Sequence, residues 1–256
     1  MPHPYLSHDA TPRVFAHRGL VTAELAAQGV AENTRAAMTA AVSVGAHFLE
    51  SDCRITSDGE VVLFHDVDLA RVLGDPRPVA AVSTRELASL FADRGGLLTL
   101  REALEMFPEA RFNIDIKARE VAGPAGRIIA PHAERVLVTS FADGHRRAAL
   151  QAARAASGSG VRPATSPGRG ALIRTLAALQ TGQRKAAARV LAGFDALQIP
   201  EKYGRARVLT PRLIDFAESV GVEVHVWTVN DPAEMARLVG MGVRGIITDR
   251  ADLALG

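Results

Sequence analysis

Nine short β-branched or apolar runs, at 13–17, 47–53, 60–65, 111–117, 136–141, 161–165, 195–199, 223–229 and 244–248, alternate with Ala/Arg/Leu-rich segments of helical period. This alternation constrains the chain more than any other feature, because repeated βα units build a parallel sheet with helices laid over it. Between the second and third runs stand only Thr56-Ser57-Asp58-Gly59. A parallel crossover needs a dozen residues or more, whereas a tight Asp-Gly turn needs no more than this. The 60–65 run is therefore expected to return antiparallel on its predecessor. Eight strands remain, and 256 residues match the roughly 250 of an eight-stranded α/β barrel. The expected architecture is an α/β TIM (β/α)8 barrel in one domain over 1–256, with a β-hairpin extension after strand 2. A short insertion over the barrel mouth is expected at about 67–98, where Pro76, Pro78 and Gly95-Gly96 leave room for one short helix.

Helix signals agree with this frame. Ser83-x-x-Glu86 and Thr99-x-x-Glu102 read as capping boxes, and Asp231-Pro232-Ala233-Glu234 supplies a cap, an N1 proline and an N3 glutamate. The 30 basic and 28 acidic residues are scattered, so there is no nucleic-acid footprint and the expected partner is a small molecule. The longest uncharged stretch, Ala36 to Leu49, is too short for a membrane span and carries Thr39, Ser43, Gly45 and His47. A lone cysteine, Cys53, forbids an internal disulfide, and the N-terminus lacks an apolar leader. A cytoplasmic protein is expected; the oligomeric state is left open.

Barrels of this kind carry their chemistry at the C-terminal ends of the strands. Five segments place polar groups there. Val14-Phe15-Ala16-His17-Arg18-Gly19 closes an apolar strand with an imidazole and a guanidinium, and the glycine permits a sharp exit. In Phe48-Leu49-Glu50-Ser51-Asp52 the strand period of two puts Glu50 and Asp52 on one face. Two carboxylates aimed into a barrel mouth repel each other, which a hard divalent cation relieves; an ordinary Glu-x-Asp on an exposed strand is the alternative. Cys53 has the opposite parity and reads as a small buried hydrophobe facing the helices. Val61 to His65 ends in a second imidazole, and Asp66 either caps the next turn or orients His65. Asn113, Asp115 and Lys117 share one face of a strand whose other face is apolar. Buried unpaired they would be costly, but they suit a cation and an anionic substrate. Trp227 forms either a wall of the site or core, and His225 reads as a core histidine. Together these groups suit phosphate-ester hydrolysis, with cations holding the phosphate, a metal offsetting charge and two imidazoles moving protons. No Gly-rich phosphate loop precedes a helix.

The same motifs resemble the glycerophosphodiester phosphodiesterases, a TIM-barrel family. Ala16-His17-Arg18-Gly19, Glu32-Asn33-Thr34, Leu49-Glu50-Ser51-Asp52, Thr56-Ser57-Asp58-Gly59, His65-Asp66, Ser140-Phe141, Trp227-Thr228-Val229-Asn230 and Gly245-Ile246-Ile247-Thr248-Asp249 occur in the family's order across almost the whole chain. The resemblance implies metal-dependent hydrolysis of glycerophosphodiesters to an alcohol and sn-glycerol 3-phosphate. It makes His17 and His65 the acid and base pair, with the hairpin arm favouring His65 as the acid. Glu50, Asp52 and Asp115 become ligands of a divalent metal, Ca2+ or Mg2+. Arg18 and Lys117 hold the phosphate, Trp227 contacts substrate, and Glu32 lies at the site edge, beside an expected helix cap at Asn33. The chain departs from the family in having Ala31 for Pro, Asp115 for Glu and Arg244 for Asp. Asp115, one methylene shorter, is the least direct of the implied ligands. The alternatives are lysophospholipase D or another phosphodiesterase activity on the same barrel, or a catalytically idle binding module.

Overall fold

The computed structural model describes residues 3–7, 11–158 and 160–256. Its strands are β1 (Arg13–His17), β2 (Phe48–Ile55), β3 (Val61–Leu63), β4 (Asp68–Leu69), β5 (Asp75–Pro78), β6 (Arg111–Ile116), β7 (Val136–Thr139), β8 (Ala164–Thr165), β9 (Ala196–Pro200), β10 (Lys202–Tyr203), β11 (Ala206–Arg207), β12 (Glu223–Trp227) and β13 (Gly245–Thr248). Eight of them pair in parallel in the order β8-β7-β6-β2-β1-β13-β12-β9 and curl into a nearly closed barrel with helices outside. Across the remaining seam Asp195 N–H donates to the Thr165 carbonyl at 2.9 Å, and Thr165 N–H donates to the Asp195 carboxylate at 2.8 Å. As expected, β3 runs antiparallel to β2, with Cys53 opposite Leu63 and Ile55 opposite Val61.

The barrel is filled from below. Tyr5, held in the 3-10 turn Pro4–Leu6, packs edge-on against Phe48 at 5.6 Å, and Phe15 lies 4.9 Å from Phe48. Leu137, Ala164, Ala196 and Ile247 complete this plug. His225, fully buried, meets Glu223 at 3.1 Å, and Arg13 holds the same carboxylate. Burial lowers its pKa despite Glu223, so it is a core histidine. With the bottom closed by apolar packing, the upper mouth is the place left for polar groups. Cys53 lies on the outer face, buried among Leu63, Leu100 and Ala122.

Two local expectations are corrected. The excursion at 67–98 holds two α-helices, Ala70–Leu73 and Thr84–Leu90, as well as the β4–β5 ladder. The extra helix forms because Gly74, at φ +72°, closes Ala-Arg-Val-Leu with a left-handed cap. The cap of helix Arg35–Ser43 is Thr34, whose hydroxyl accepts from Ala37 N–H at 3.2 Å. Asn33, at φ +60°, instead uses its side-chain oxygen to accept from Ser51 at 2.7 Å. The Thr99 capping box is complete; at Ser83 only half forms, because the Glu86 carboxylate turns to Arg77. Among the described residues no helix is long and apolar enough to cross a membrane.

Gly245 opens β13 against the plug, and a Cβ there would lie 2.6 Å from the His225 ring and 2.8 Å from Phe15. Neither ring has room to retreat in a packed interior, so Gly245→Ala should cost ~1–3 kcal/mol. Thermal unfolding should show a Tm lower by several degrees. An unchanged Tm would mean that the plug is looser than this packing.

Candidate active site

Register brings the polar residues together. In the β1–β2–β6 sheet His17 stands opposite Glu50, and Glu50 opposite Asn113. Two residues further on, Asp52 stands opposite Asp115, and Asp115 opposite Thr139. Inward-facing residues of a barrel therefore form two rows, one above the other. Arg18 and Gly19 leave β1 at φ +57° and +87°. A Cβ on Gly19 would meet the Ala37 backbone at 2.7 Å, so only glycine lets the turn press against helix Arg35–Ser43. Arg18 N–H then reaches the Glu50 carboxylate at 3.2 Å. The β2–β3 hairpin returns to the same height, with Phe64 N–H donating to the Asp52 carbonyl at 2.9 Å, which leaves His65 beside the two rows.

His17, Arg18, Glu50, Asp52, His65, Asn113, Asp115 and Lys117 all line one cavity of about 460 Å³, and Trp227 forms part of its wall. Every expected site residue except Glu32 is brought to it. Glu32 stands behind Arg18, receiving its guanidinium at 2.8 Å and that of Arg71 at 2.6 Å. Each imidazole is held at Nδ1 by a carboxylate: His17 by Asp249 at 2.6 Å and His65 by Asp66 at 2.7 Å. Asp66 thus orients His65, and its other oxygen accepts from Arg71 at 2.6 Å. Asp249 is itself fixed by the Asn230 amide at 2.8 Å.

Sequence reasoning gave no role to Asp249, Asn230 or Arg71. The signal for Asp249 was available: in a closed barrel the last strand lies against the first, so a polar residue just after β13 comes beside those ending β1.

Charge is shared unevenly among the carboxylates. Lys117 Nζ stands 2.8 Å from Asp52 and 2.7 Å from Asp115, and Arg18 Nε lies 3.2 Å from Asp52. Burial would raise the Asp52 pKa, but Lys117 and Arg18 outweigh it and hold it low. Asp115 ends above its ordinary value, because burial and Asp52 exceed the help from Lys117. Glu50 is the extreme case: burial and the nearby Asp52 push it to about 8. For His17 burial alone would lower the pKa, but Glu50 and Asp249 raise it above 6.5. The mutual repulsion expected of Glu50 and Asp52 therefore falls chiefly on Glu50.

Asp115 Oδ1 and Asn113 Oδ1 are buried oxygens without a hydrogen-bond partner, and Asp52 Oδ2 has only the Arg18 ion pair. Hard oxygen donors with unmet capacity fit a divalent cation of the Ca2+ or Mg2+ type. Among the described residues no three His, Cys, Asp or Glu side chains yet surround a single point, and Lys117 occupies the gap between two of the carboxylates.

The sequence matches the model of the "Glycerophosphoryl diester phosphodiesterase family" over residues 17–253. It is 36% identical over 243 residues to the Mycobacterium tuberculosis protein named "Probable glycerophosphodiester phosphodiesterase 2", a match covering 93% of this chain and 88% of that one. The fold is similar to a glycerophosphodiester phosphodiesterase from Thermotoga maritima, with TM-score 0.69, 25% identity and 97% and 99% of the two chains covered. It is also similar to an Oleispira antarctica phosphodiesterase solved with the product sn-glycerol-3-phosphate, with TM-score 0.69, 19% identity and coverage of 95% and 96%.

The electrostatics predict a pH signature. A carboxyl whose folded pKa is raised from 4.5 to about 8 contributes stability that is fully present below pH 4.5 and declines as pH rises toward 8. In chelator-treated protein at pH 8, Glu50→Gln should therefore be more stable than wild type by at least ~1.4 kcal/mol, the value of one pKa unit. Asp52→Asn should be less stable, since it strips Lys117 and Arg18 of a partner. Denaturant melts showing Glu50→Gln no more stable at pH 8 would refute this charge distribution.

Proposed function

The chain belongs to the glycerophosphoryl diester phosphodiesterase family, and from that membership we propose that it hydrolyses glycerophosphodiesters to an alcohol and sn-glycerol 3-phosphate with divalent-metal assistance. It is a phosphoric diester hydrolase. The carrying observation is that two imidazoles, each fixed at Nδ1 by its own carboxylate, line one cavity with three carboxylates, a guanidinium and an ammonium.

Holding Nδ1 fixes the ring and leaves Nε2 for the reaction. One histidine takes a proton from an attacking water as its oxygen bonds to phosphorus, while the other gives a proton to the leaving alkoxide as the phosphorus–oxygen bond on the alcohol side breaks. The environment of His17 supports it as the acid, the reverse of the order that the hairpin suggested: Glu50 and Asp249 favour its protonated form. His65, held by Asp66, is then the base. Arg18 and Lys117 bind the phosphate oxygens, Arg18 being kept in place from behind by Glu32. Glu50, Asp52 and Asp115 would hold the divalent cation, Ca2+ or Mg2+, which when bound offsets negative charge on the phosphate. Trp227 closes the side of the cavity. An idle binding module is disfavoured, because binding an anion alone requires neither imidazole nor buried carboxylates.

The test is a coupled assay for sn-glycerol 3-phosphate with glycerophosphocholine. Chelation should abolish activity and Ca2+ or Mg2+ should restore it. His17→Ala and His65→Ala should each lose about 10²- to 10⁴-fold in kcat. With His17 as the acid, kcat/KM falls as pH rises through a pKa above 6.5. A nitrophenyl phosphodiester, whose leaving group needs no proton, should then rescue His17→Ala preferentially; rescue of His65→Ala instead would reverse the roles. Choline phosphate as the product, or full activity after chelation and dialysis, would overturn the reading.

A further inference from the structure

The charges around the cavity are segregated. Glu50, Asp52 and Asp115 are the acids that line it, and all three stand on the floor. Outward from Lys117 the wall runs past Phe141 to Arg169 and Tyr203, and the charged residue of this outer part is Arg169. Backbone contacts fix where Arg169 starts. Its N–H donates to the Phe141 carbonyl at 3.2 Å, and the preceding Gly168 N–H donates to the Asp143 carboxylate at 3.1 Å. A Cβ on Gly168 would lie 2.9 Å from the Ser140 and Phe141 carbonyl oxygens, so the turn into helix Arg169–Gln180 is pressed against the loop after β7. The Arg169 guanidinium lies 5.2 Å from the Tyr203 ring centre.

Tyr203 belongs to the β10–β11 ribbon, which follows the C-terminal end of β9 and therefore stands at the mouth. Tyr203 and Ala206 pair across the ribbon and line the cavity. The other pair is Lys202 opposite Arg207, and Arg205 lies in the turn that joins the strands. Like charges directly opposite in a ladder repel. Among the described residues no carboxylate relieves them, since the adjacent Glu201 is taken by Arg237 at 2.8 Å. Lys202, Arg205, Arg207 and Arg169 are all exposed, so this side of the mouth is positive. Phe141, Tyr203 and Trp227 have the rings that a quaternary ammonium seeks. Two of those rings already carry a cation of the protein, however: Lys117 on Phe141 at 5.7 Å and Arg169 on Tyr203.

We propose that Arg169 and the β10–β11 ribbon form a cationic rim that selects glycerophosphodiesters whose alcohol carries a further anionic group, a carboxylate or a phosphate. The proposal rests on the phosphodiesterase reading above and specifies its substrate class. Glycerol is uncharged, so the sign of the rim acts on the alcohol alone, which departs through the mouth. Arg169, at the cavity wall, meets the anion. Lys202, Arg205 and Arg207 supply the field that draws it in.

The test compares the glycerophosphodiesters of propanol, 3-hydroxypropanoate, ethylene glycol monophosphate and choline at one saturating concentration of divalent cation and low ionic strength. From the propanol ester to the 3-hydroxypropanoate ester kcat/KM should rise about fivefold, the factor for one unit charge about 4 Å from a cation in water. The phosphate-bearing ester should gain more. Arg169→Glu should lower the anionic esters and raise the choline ester, each relative to that variant's own rate on the propanol ester, a comparison in which the inherent leaving ability of each alcohol cancels. Arg205→Glu should weaken the preference at low ionic strength and leave it unaltered at high, where longer-range charges are screened. Equal kcat/KM for the propanol and anionic esters would overturn the rim and leave the phosphodiesterase reading standing, as would a preference that Arg169→Glu leaves intact. Cosedimentation with phosphatidylglycerol vesicles alongside such a flat series would reassign the cations to a bilayer surface and overturn the substrate selection. No hydrolysis of any ester would overturn both readings.

Discussion

Burying Glu50, Asp52 and Asp115 within one barrel mouth is tenable because Lys117 and Arg18 are buried with them. Lys117 reaches both aspartates, and Arg18 reaches Asp52 and Glu32. A buried charge without a partner would be neutralised or would destabilise the fold. The compensation is nevertheless incomplete: with the cations committed to Asp52, the uncompensated repulsion falls on Glu50, whose pKa rises to about 8, so that it keeps a proton near neutral pH. His17 lies 3.8 Å from Glu50, so the two compete for a proton, and it is the ionised form of Glu50, together with Asp249, that raises the His17 pKa. The proton affinity of the histidine is thus set by its Asp249 partner together with how two cations are divided among the three buried carboxylates.

This arrangement has a chemical corollary. Lys117 sits between two oxygen-bearing side chains, where its ammonium and a hard cation would compete for the same lone pairs. A phosphate arriving at the floor supplies another anionic partner for Lys117, and any ligand drawing the lysine away frees oxygens on Asp52 and Asp115. Under the proposed function, phosphate and cation binding would therefore be coupled through one flexible side chain, which lysine, as a compact charge on a long stem, suits better than arginine would.

Most of this frame was legible in the sequence, because strand period and turn length are local properties. The four residues Thr56 to Gly59 fixed β3 as a returning arm, and alternation along Phe48–Asp52 and Phe112–Lys117 put the polar groups on a common face. Register was not legible. That Asp52 pairs with Asp115, and Glu50 with His17, depends on how eight strands stagger around a barrel, a property of the whole sheet. Long-range partners escaped for the same reason: 232 residues separate His17 from Asp249, and 39 separate Glu32 from Arg71. Asn33 misled because its chemistry suits a cap, but a positive φ and the Ser51 hydroxyl claimed it first.

The two histidines are consequently held in different ways. His65 takes its orienting carboxylate from the next residue, Asp66, so that pair travels as a unit with the hairpin and is buttressed by Arg71 from the excursion. His17 takes its carboxylate from beyond β13, so its geometry exists only when the first and last strands of the barrel lie side by side. Asn230, following β12, then ties a third strand to that contact by accepting from the Thr248 hydroxyl and the Asp249 N–H and donating to the Asp249 carboxylate. One imidazole therefore depends on local sequence and the other on barrel closure. A defect at the β1–β13 seam would disable His17 while leaving His65 correctly oriented.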